Sequence, residues 1–306
     1  MLRAADITFS YHALAPPVLR GVSLDVPAGG FVGILGPNGS GKTTLLRVLA
    51  GTRQPASGQV SLDGVDLARV SRTAMARRMA VVPQDTHLAF DFTALEVVLM
   101  GRYPHLATFE VEGPRDIAIA REALAATGTR GFEDRLFATL SGGERQRVII
   151  AAALAQISGG SDLDFLYAGG QDPGCQAVNR ESGGQAPIHD SLPDTAIPGI
   201  LLLDEPTAAL DLAYQLEVAA LLRDLQRRTP IAIVVSTHDL NFAAGLCRTL
   251  VLLKDGLVLA AGPTAEVLTA GNIRALYGVE AEVQPHPAAG HLVVVPIRRV
   301  APGTPS

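Results

Sequence analysis

The chain has 306 residues, of which 48% are hydrophobic and 18% charged, a composition that describes a globular protein and excludes a disordered one. A net charge of −5, an aromatic content of 5% and the lack of Trp offer nucleic acid neither a clustered basic face nor a stacking ladder. No apolar run reaches the ~18 residues that span a bilayer, and Asp6 sits where a signal peptide is apolar, so a cytosolic chain is expected.

Strand-like alternation runs around Ala5–Phe9 and Val22–Val26, and Pro27-Ala28-Gly29-Gly30 makes a turn. Phe31–Leu35 is a short apolar run of the kind carried by a strand buried on both faces. A Gly-rich loop leads into Lys42–Ala50, whose Leu45, Leu46, Val48 and Leu49 predict a buried helix. From about 85 to 157 the pattern turns helical, near Ala94–Met100, Asp116–Thr127 and Glu144–Ile157, and reads as a helical subdomain. Residues 158–198 carry Gly pairs, Pro and Ser without a sustained period, and read as a flexible surface excursion.

Ile200–Leu203 and Ile231–Val235 are again buried strands. Between them a helix from about Asp211 to Arg228 repeats Leu212, Leu216, Ala219, Leu222 and Leu225 at helical spacing. Leu250–Leu253 and Leu257–Ala260 flank Lys254-Asp255-Gly256, a hairpin signal. Strands alternating with helices predict an α/β fold with a mostly parallel sheet covered on both faces. One domain over 1–292 is expected, with 293–306 a frayed tail. Cys175 and Cys247 are too few for a disulfide framework and read as reduced thiols.

Gly36-Pro37-Asn38-Gly39-Ser40-Gly41-Lys42-Thr43 matches the phosphate-loop pattern in full and is followed by Thr44. Backbone N–H groups wrap a polyphosphate only where side chains do not intrude, which glycine allows, and the following helix adds its positive end. Lys42 is read as reaching the β- and γ-phosphates of ATP, and the Thr43 hydroxyl as a Mg²⁺ ligand. Asp204 and Glu205 close a buried strand, at the sheet edge where such folds bind ligands. Asp204 is read as holding Mg²⁺ and Glu205 as the base that polarises the attacking water. His238 ends the third buried strand and is placed to donate to the γ-phosphate. Gln84 ends another short strand and is placed to sense Mg²⁺ and the water.

Leu140-Ser141-Gly142-Gly143-Glu144-Arg145-Gln146 sets Ser and two glycines before a helix, an anion-binding arrangement. It resembles the signature motif of ATP-binding-cassette (ABC) ATPases, whose phosphate-loop fold adds an N-terminal antiparallel part and a helical subdomain. In that family two subunits pair head to tail, and each signature contacts the γ-phosphate held by the other. The resemblance follows family order along nearly the whole chain. It implies that Tyr11 stacks on adenine, with Phe9 and His12 as neighbouring candidates, and that Ala209-Leu210-Asp211 crosses the dimer interface. Two departures stand out: Ala208 where Ser is commoner, and the long excursion.

Ala76–Gln84, Phe92-Thr93 and Val97–His105, above all Gly101-Arg102-Tyr103-Pro104-His105, resemble ATPases of iron-chelate, haem and vitamin B12 importers. The resemblance implies a second ABC ATPase subunit, a transmembrane permease, an extracytoplasmic substrate-binding protein and a peripheral place on the cytoplasmic face of the membrane. The permease's coupling helix is expected within 85–105, met by Phe90, Phe92, Tyr103 and Phe109 unless these fill the subdomain core. His87 and His105 read as surface or cap residues rather than metal ligands. Import of another solute, such as a metal ion, is the alternative. ATPases acting on DNA or ribosomes fit less well, because no sustained heptads occur and one cassette is present.

Overall fold

Continuous apolar runs are affordable only where a strand is covered on both faces, and four such runs build the centre of the molecule. In the computed structural model, which describes residues 1–12, 14–84, 90–159, 199–208 and 210–300, the chain begins with β1 (Leu2–Phe9) and β2 (Leu19–Val26). Next come β3 (Phe31–Leu35), α1 (Lys42–Leu49), β4 (Ser57–Leu62), β5 (Val65–Asp66), α2 (Arg72–Ala76) and β6 (Met79–Val82). The helical stretch is α3 (Ala94–Leu99), α4 (Pro114–Ala126) and α5 (Gly142–Ile157). The remainder is β7 (Ile200–Asp204), α6 (Leu212–Arg228), β8 (Ala232–Thr237), α7 (Leu240–Leu246), β9 (Thr249–Lys254), β10 (Leu257–Pro263), α8 (Thr264–Val267), α9 (Ala270–Tyr277), β11 (Val279–His286) and β12 (His291–Arg299).

The central sheet runs β10-β9-β3-β8-β7-β6, parallel except for the β9–β10 pair. Its β3, β7 and β8 are buried along their whole length. An antiparallel sheet, β2-β1-β4-β5, packs with α1 on one face through Leu19, Val32, Leu45 and Leu49. The other face carries α3–α7, joined by Leu203, Val235, Leu154 and Leu222. The β9–β10 turn puts Asp255 at φ 48° and Gly256 at φ 76°, so both central residues are left-handed, as the tightest hairpin turn requires.

Two boundaries differ from the sequence expectation. The expected tail is structured through Arg299: β12 pairs with β11 from Val279↔Arg299 to His286↔His291. The excursion expected at 158–198 lies, from 160 on, outside the described residues. Ser158 itself is buried: its hydroxyl donates to the Leu154 carbonyl at 2.7 Å, and its own carbonyl accepts from Arg102 at 2.8 Å. No described helix is long and apolar enough to cross a membrane.

Candidate functional site

β3 delivers the chain into its loop at the carboxyl edge of the parallel sheet. A Cβ on Gly36 would meet the Leu253 carbonyl oxygen at 2.3 Å, so only glycine fits there. Gly41, at φ 104°, turns the loop into α1 in a conformation open to glycine alone. Lys42 is 4% exposed, and its ammonium donates to the Gly36 carbonyl at 2.8 Å and the Pro37 carbonyl at 3.2 Å. Asn38, Gly39, Thr43 and Thr44 line the same cavity, of about 390 Å³. The Ser40 hydroxyl is not among the lining groups; it is buried against Gly36 without a hydrogen-bond partner.

β7 and β8 run parallel, with Asp204 opposite Ser236. That register lets the Ser236 hydroxyl donate to Asp204 Oδ1 at 2.6 Å, and Thr43 donates to the same oxygen at 3.1 Å. Glu205 follows at φ 46°, a left-handed conformation costing about 1–3 kcal/mol in a non-glycine residue. Its N–H is held by the Ser236 carbonyl at 3.0 Å. The strained turn sends its carboxylate away from Asp204, where Oε1 meets Lys42 Nζ at 3.2 Å and Oε2 meets His238 Nδ1 at 3.1 Å. A partly buried carboxylate held from two sides by charge-assisted and ring-nitrogen contacts is oriented before substrate arrives. Gln84, exposed at the end of β6, lines the cavity with Lys42 and Glu205.

Tyr11 stands at the rim of the phosphate loop. Its hydroxyl shares a 3.0 Å hydrogen bond with Thr44 Oγ1, its ring meets Phe9 edge-on at 5.0 Å, and the Arg53 guanidinium lies 6.0 Å from its centroid. Phe9, the alternative aromatic, is buried. The signature residues lie elsewhere. Ser141 caps α5 in a reciprocal box with Glu144, at 3.3 and 2.7 Å. The Ser141 N–H holds the Glu144 carboxyl below its ordinary range. A Cβ on Gly143 would meet the Tyr214 ring at 2.3 Å, so glycine lets α5 start against α6. Gly142 is exposed beside Leu210, and Asp211 caps α6 through the Tyr214 N–H at 3.1 Å. None of Ser141, Gly142, Gly143 and Asp211 lines the cavity around Lys42.

Sequence reasoning passed over Ser236. Ser236 sits in Val-Val-Ser-Thr-His, and its partnership with Asp204 follows only from the β7–β8 register.

The Gly101–His105 run has a structural task. A Cβ on Gly101 would meet the Ala152 carbonyl at 2.3 Å, so this glycine admits α5. Arg102 is buried; it pairs with Asp116 at 3.0 Å and donates to the Ala155 carbonyl at 2.6 Å. His105 is half-buried and spends a ring nitrogen on the Gln156 carbonyl at 2.7 Å, in the last turn of α5, which fits the cap reading and not the surface one. Burial pushes that imidazole below its ordinary pKa. Arg102→Ala would leave Asp116 with the Gly113 N–H but no cation and take the donor from the Ala155 and Ser158 carbonyls, and a loss of about 3 kcal/mol in unfolding free energy is expected by urea titration. Within the run only Tyr103 is markedly exposed; Phe90 and Phe109 are exposed nearby, whereas Phe92 packs against the core. Residues 85–89, including His87, lie outside the described residues, as do Cys175 and Ala209. Cys247 is buried, and burial raises its thiol well above the usual range, so it stays protonated.

The sequence model of the family described as ABC transporter matches residues 19–159. The hemin import ATP-binding protein HmuV of Gloeobacter violaceus is 41% identical over 297 residues, covering 97% of this chain and 94% of the relative. The cobalamin import ATP-binding protein BtuD of Halobacterium salinarum is 38% identical over 280 residues, covering 92% of this chain and 60% of the relative. A solved metal-chelate type ABC transporter in an inward-facing conformation superimposes with a TM-score of 0.73 at 27% identity, covering 97% of this chain and 96% of that one. With a phosphate loop, an acid pair and a signature helix placed on this fold and relatives of that similarity along nearly its whole length, the chain belongs to the ABC transporter ATP-binding family.

Proposed function

We propose that the chain hydrolyses ATP in a head-to-tail pair of subunits and so energises import of an iron chelate, haem or vitamin B12 through a separate permease. The observation that carries the catalytic part is the Glu205 carboxylate, partly buried and held between Lys42 at 3.2 Å and His238 at 3.1 Å beside a phosphate loop. The cradle suits a polyphosphate, since Lys42, Thr43 and Thr44 line it where α1 begins. Thr43 and Asp204, joined at 3.1 Å, form a hard oxygen pair of the kind Mg²⁺ takes, with Gln84 as a third candidate. Bound there, Mg²⁺ supplies neutralisation of charge on the phosphate oxygens.

The remaining chemistry belongs to the side chains. Water adds to the γ-phosphorus as the bond to the bridging oxygen breaks, and Glu205 orients that water and accepts its proton. Lys42 turns from Glu205 to the phosphates, and His238 holds the other carboxylate oxygen. Tyr11, at the loop rim, offers a face for the adenine. Ser141, Gly142 and Gly143 sit away from this chain's cavity, which is the arrangement a partner's γ-phosphate would need, and Asp211 lies beside them.

The membrane-facing part of the reading rests on relatives named for hemin and cobalamin import and on exposed Phe90, Tyr103 and Phe109. Those side chains offer the permease an apolar landing in the helical subdomain. The chain then sits peripherally at the cytoplasmic face, with an extracytoplasmic binding protein delivering cargo to the permease. Uptake of labelled ferric siderophore, haem and cobalamin, compared between cells with the parent chain and with Glu205→Gln, tests the cargo. Selective loss of one label is expected. Persistence of all three in cells without a redundant importer refutes the chelate assignment and leaves the ATPase reading.

A further inference from the structure

The Lys254-Asp255-Gly256 turn reaches beyond the two strands it joins. Gly256 donates its N–H to the Ser40 carbonyl at 3.1 Å, and its own carbonyl accepts the Arg20 N–H at 2.9 Å. One residue of the β9–β10 turn therefore clasps the phosphate loop on one side and the segment entering β2 on the other. Both segments line the cavity, the loop through Gly41 and the β2 side through Val18. The approach is close: a Cβ on Gly256 would meet the Val18 carbonyl oxygen at 2.2 Å, and the residue sits at φ 76°. Glycine is required on both counts.

The clasp has a direction. In a trans peptide unit the carbonyl and the N–H point opposite ways, and no cis peptide occurs among the described residues. Holding the Ser40 carbonyl at Gly256 therefore turns the Gly41 N–H to the other side. Gly41 lines the cavity and Ser40 does not, which is what that orientation produces. The unit needs holding, because Gly41 at φ 104° has no side chain to limit its rotation. The turn that holds it is itself braced: Lys254 donates to the Ala275 carbonyl of α9 at 2.5 Å, and Leu253 backs Gly36 closely enough to exclude a side chain.

Resting on the phosphate-loop reading above, we propose that Gly256 is a positioning residue for nucleotide binding, its N–H anchoring the Ser40 carbonyl outward and so aiming the Gly41 N–H at the phosphates. Without that anchor the Ser40–Gly41 unit is free to rotate, and a carbonyl oxygen then faces the anion in place of an N–H. Part of the binding energy is spent on reordering the loop each time a nucleotide enters. The Gly256 carbonyl meanwhile fixes Arg20, next but one to Val18, so the phosphate loop and the cavity wall are held by one residue.

Replacing the Gly256 N–H by an ester oxygen deletes the hydrogen bond to Ser40 and keeps every side chain. The ester enters in a synthetic segment 247–306 joined to residues 1–246 at Cys247, and the full chain joined and refolded in the same way is the reference. A second ester at Thr264, whose N–H donates to the Arg248 carbonyl at 3.0 Å, removes a hydrogen bond at the other end of the β9–β10 pair. Both esters are expected to lower Tm by about 1–4 °C, the cost of one ordinary hydrogen bond. Binding is read by displacement of a fluorescent ATP analogue with ATP, inorganic tripolyphosphate and adenosine. Only the Gly256 ester is expected to weaken ATP and tripolyphosphate, by about 5- to 20-fold each, with adenosine within about twofold. Affinities for ATP and tripolyphosphate within about twofold of the reference overturn the proposal. Equal weakening by the Thr264 ester, or of adenosine, also overturns it, because either would make the turn a general brace of the fold. The reference chain's own binding of tripolyphosphate keeps this test separate from that of the phosphate-loop reading.

Discussion

Glu205→Gln is expected to keep ATP binding and to slow turnover by about 100-fold or more, the range that removal of a general base commonly costs. The amide has the carboxylate's shape and one acceptor oxygen, so the left-handed turn at φ 46° and the Ser236 contacts have no reason to change. What disappears is the charge that takes the proton and aligns the water. Binding holds or tightens, because Lys42 loses the anion that competes with phosphate for its ammonium, now 3.2 Å away. Titration with a fluorescent ATP analogue and phosphate release at saturating MgATP separate the two effects. Near-normal release removes Glu205 from the base role, whereas a parallel loss of binding assigns it to building the loop.

Legibility in the sequence followed burial. β3, β7 and β8 are covered on both faces, so their apolar runs are continuous, and the amphipathic period of α6 survives because one face meets the core. The C-terminal β11 and β12 sit at the opposite extreme. They form a two-stranded ribbon with most positions half-exposed or exposed, so little alternation was selected. Pro285 and Pro296, tolerated because both strands are edges, read as breakers. α9 did carry its signals, Thr269 before and Gly278 after, but its eight residues gave too few periods to stand out.

The same division runs through the site. Gly36 to Thr44, Asp204, Glu205 and His238 lie in motifs whose spacing is local, and the fold gathers most of them at one sheet edge. Ser236 depends on strand register, so no spacing announces it. The Gly101–His105 run shows the converse. Its residues resembled a partner-contact motif, yet Arg102 and His105 are spent inside the chain, on Asp116 and on the end of α5, and only Tyr103 of the five is markedly exposed.

Lys42→Ala tests the loop itself, and its effect should fall on binding. The ammonium is 4% exposed and makes three contacts, to the Gly36 and Pro37 carbonyls and to Glu205. Two of those contacts hold the loop in shape before nucleotide arrives, and the third neutralises a partly buried carboxylate. A polyphosphate entering the cavity takes over the charge, so the lysine supplies a charge-assisted bond worth about 1.5–3 kcal/mol in the complex. Its removal is therefore expected to weaken ATP affinity by about 10- to 150-fold. It also leaves Glu205 with only His238 against its charge, so the nucleotide-free protein should unfold at lower urea. Arginine should not rescue either property, because its planar fork is larger than a pocket shaped around a single buried ammonium. Isothermal titration with ATP and urea unfolding without it read the two losses independently. Unchanged affinity with lowered stability would make Lys42 a brace for the loop and move the phosphate elsewhere in the cavity.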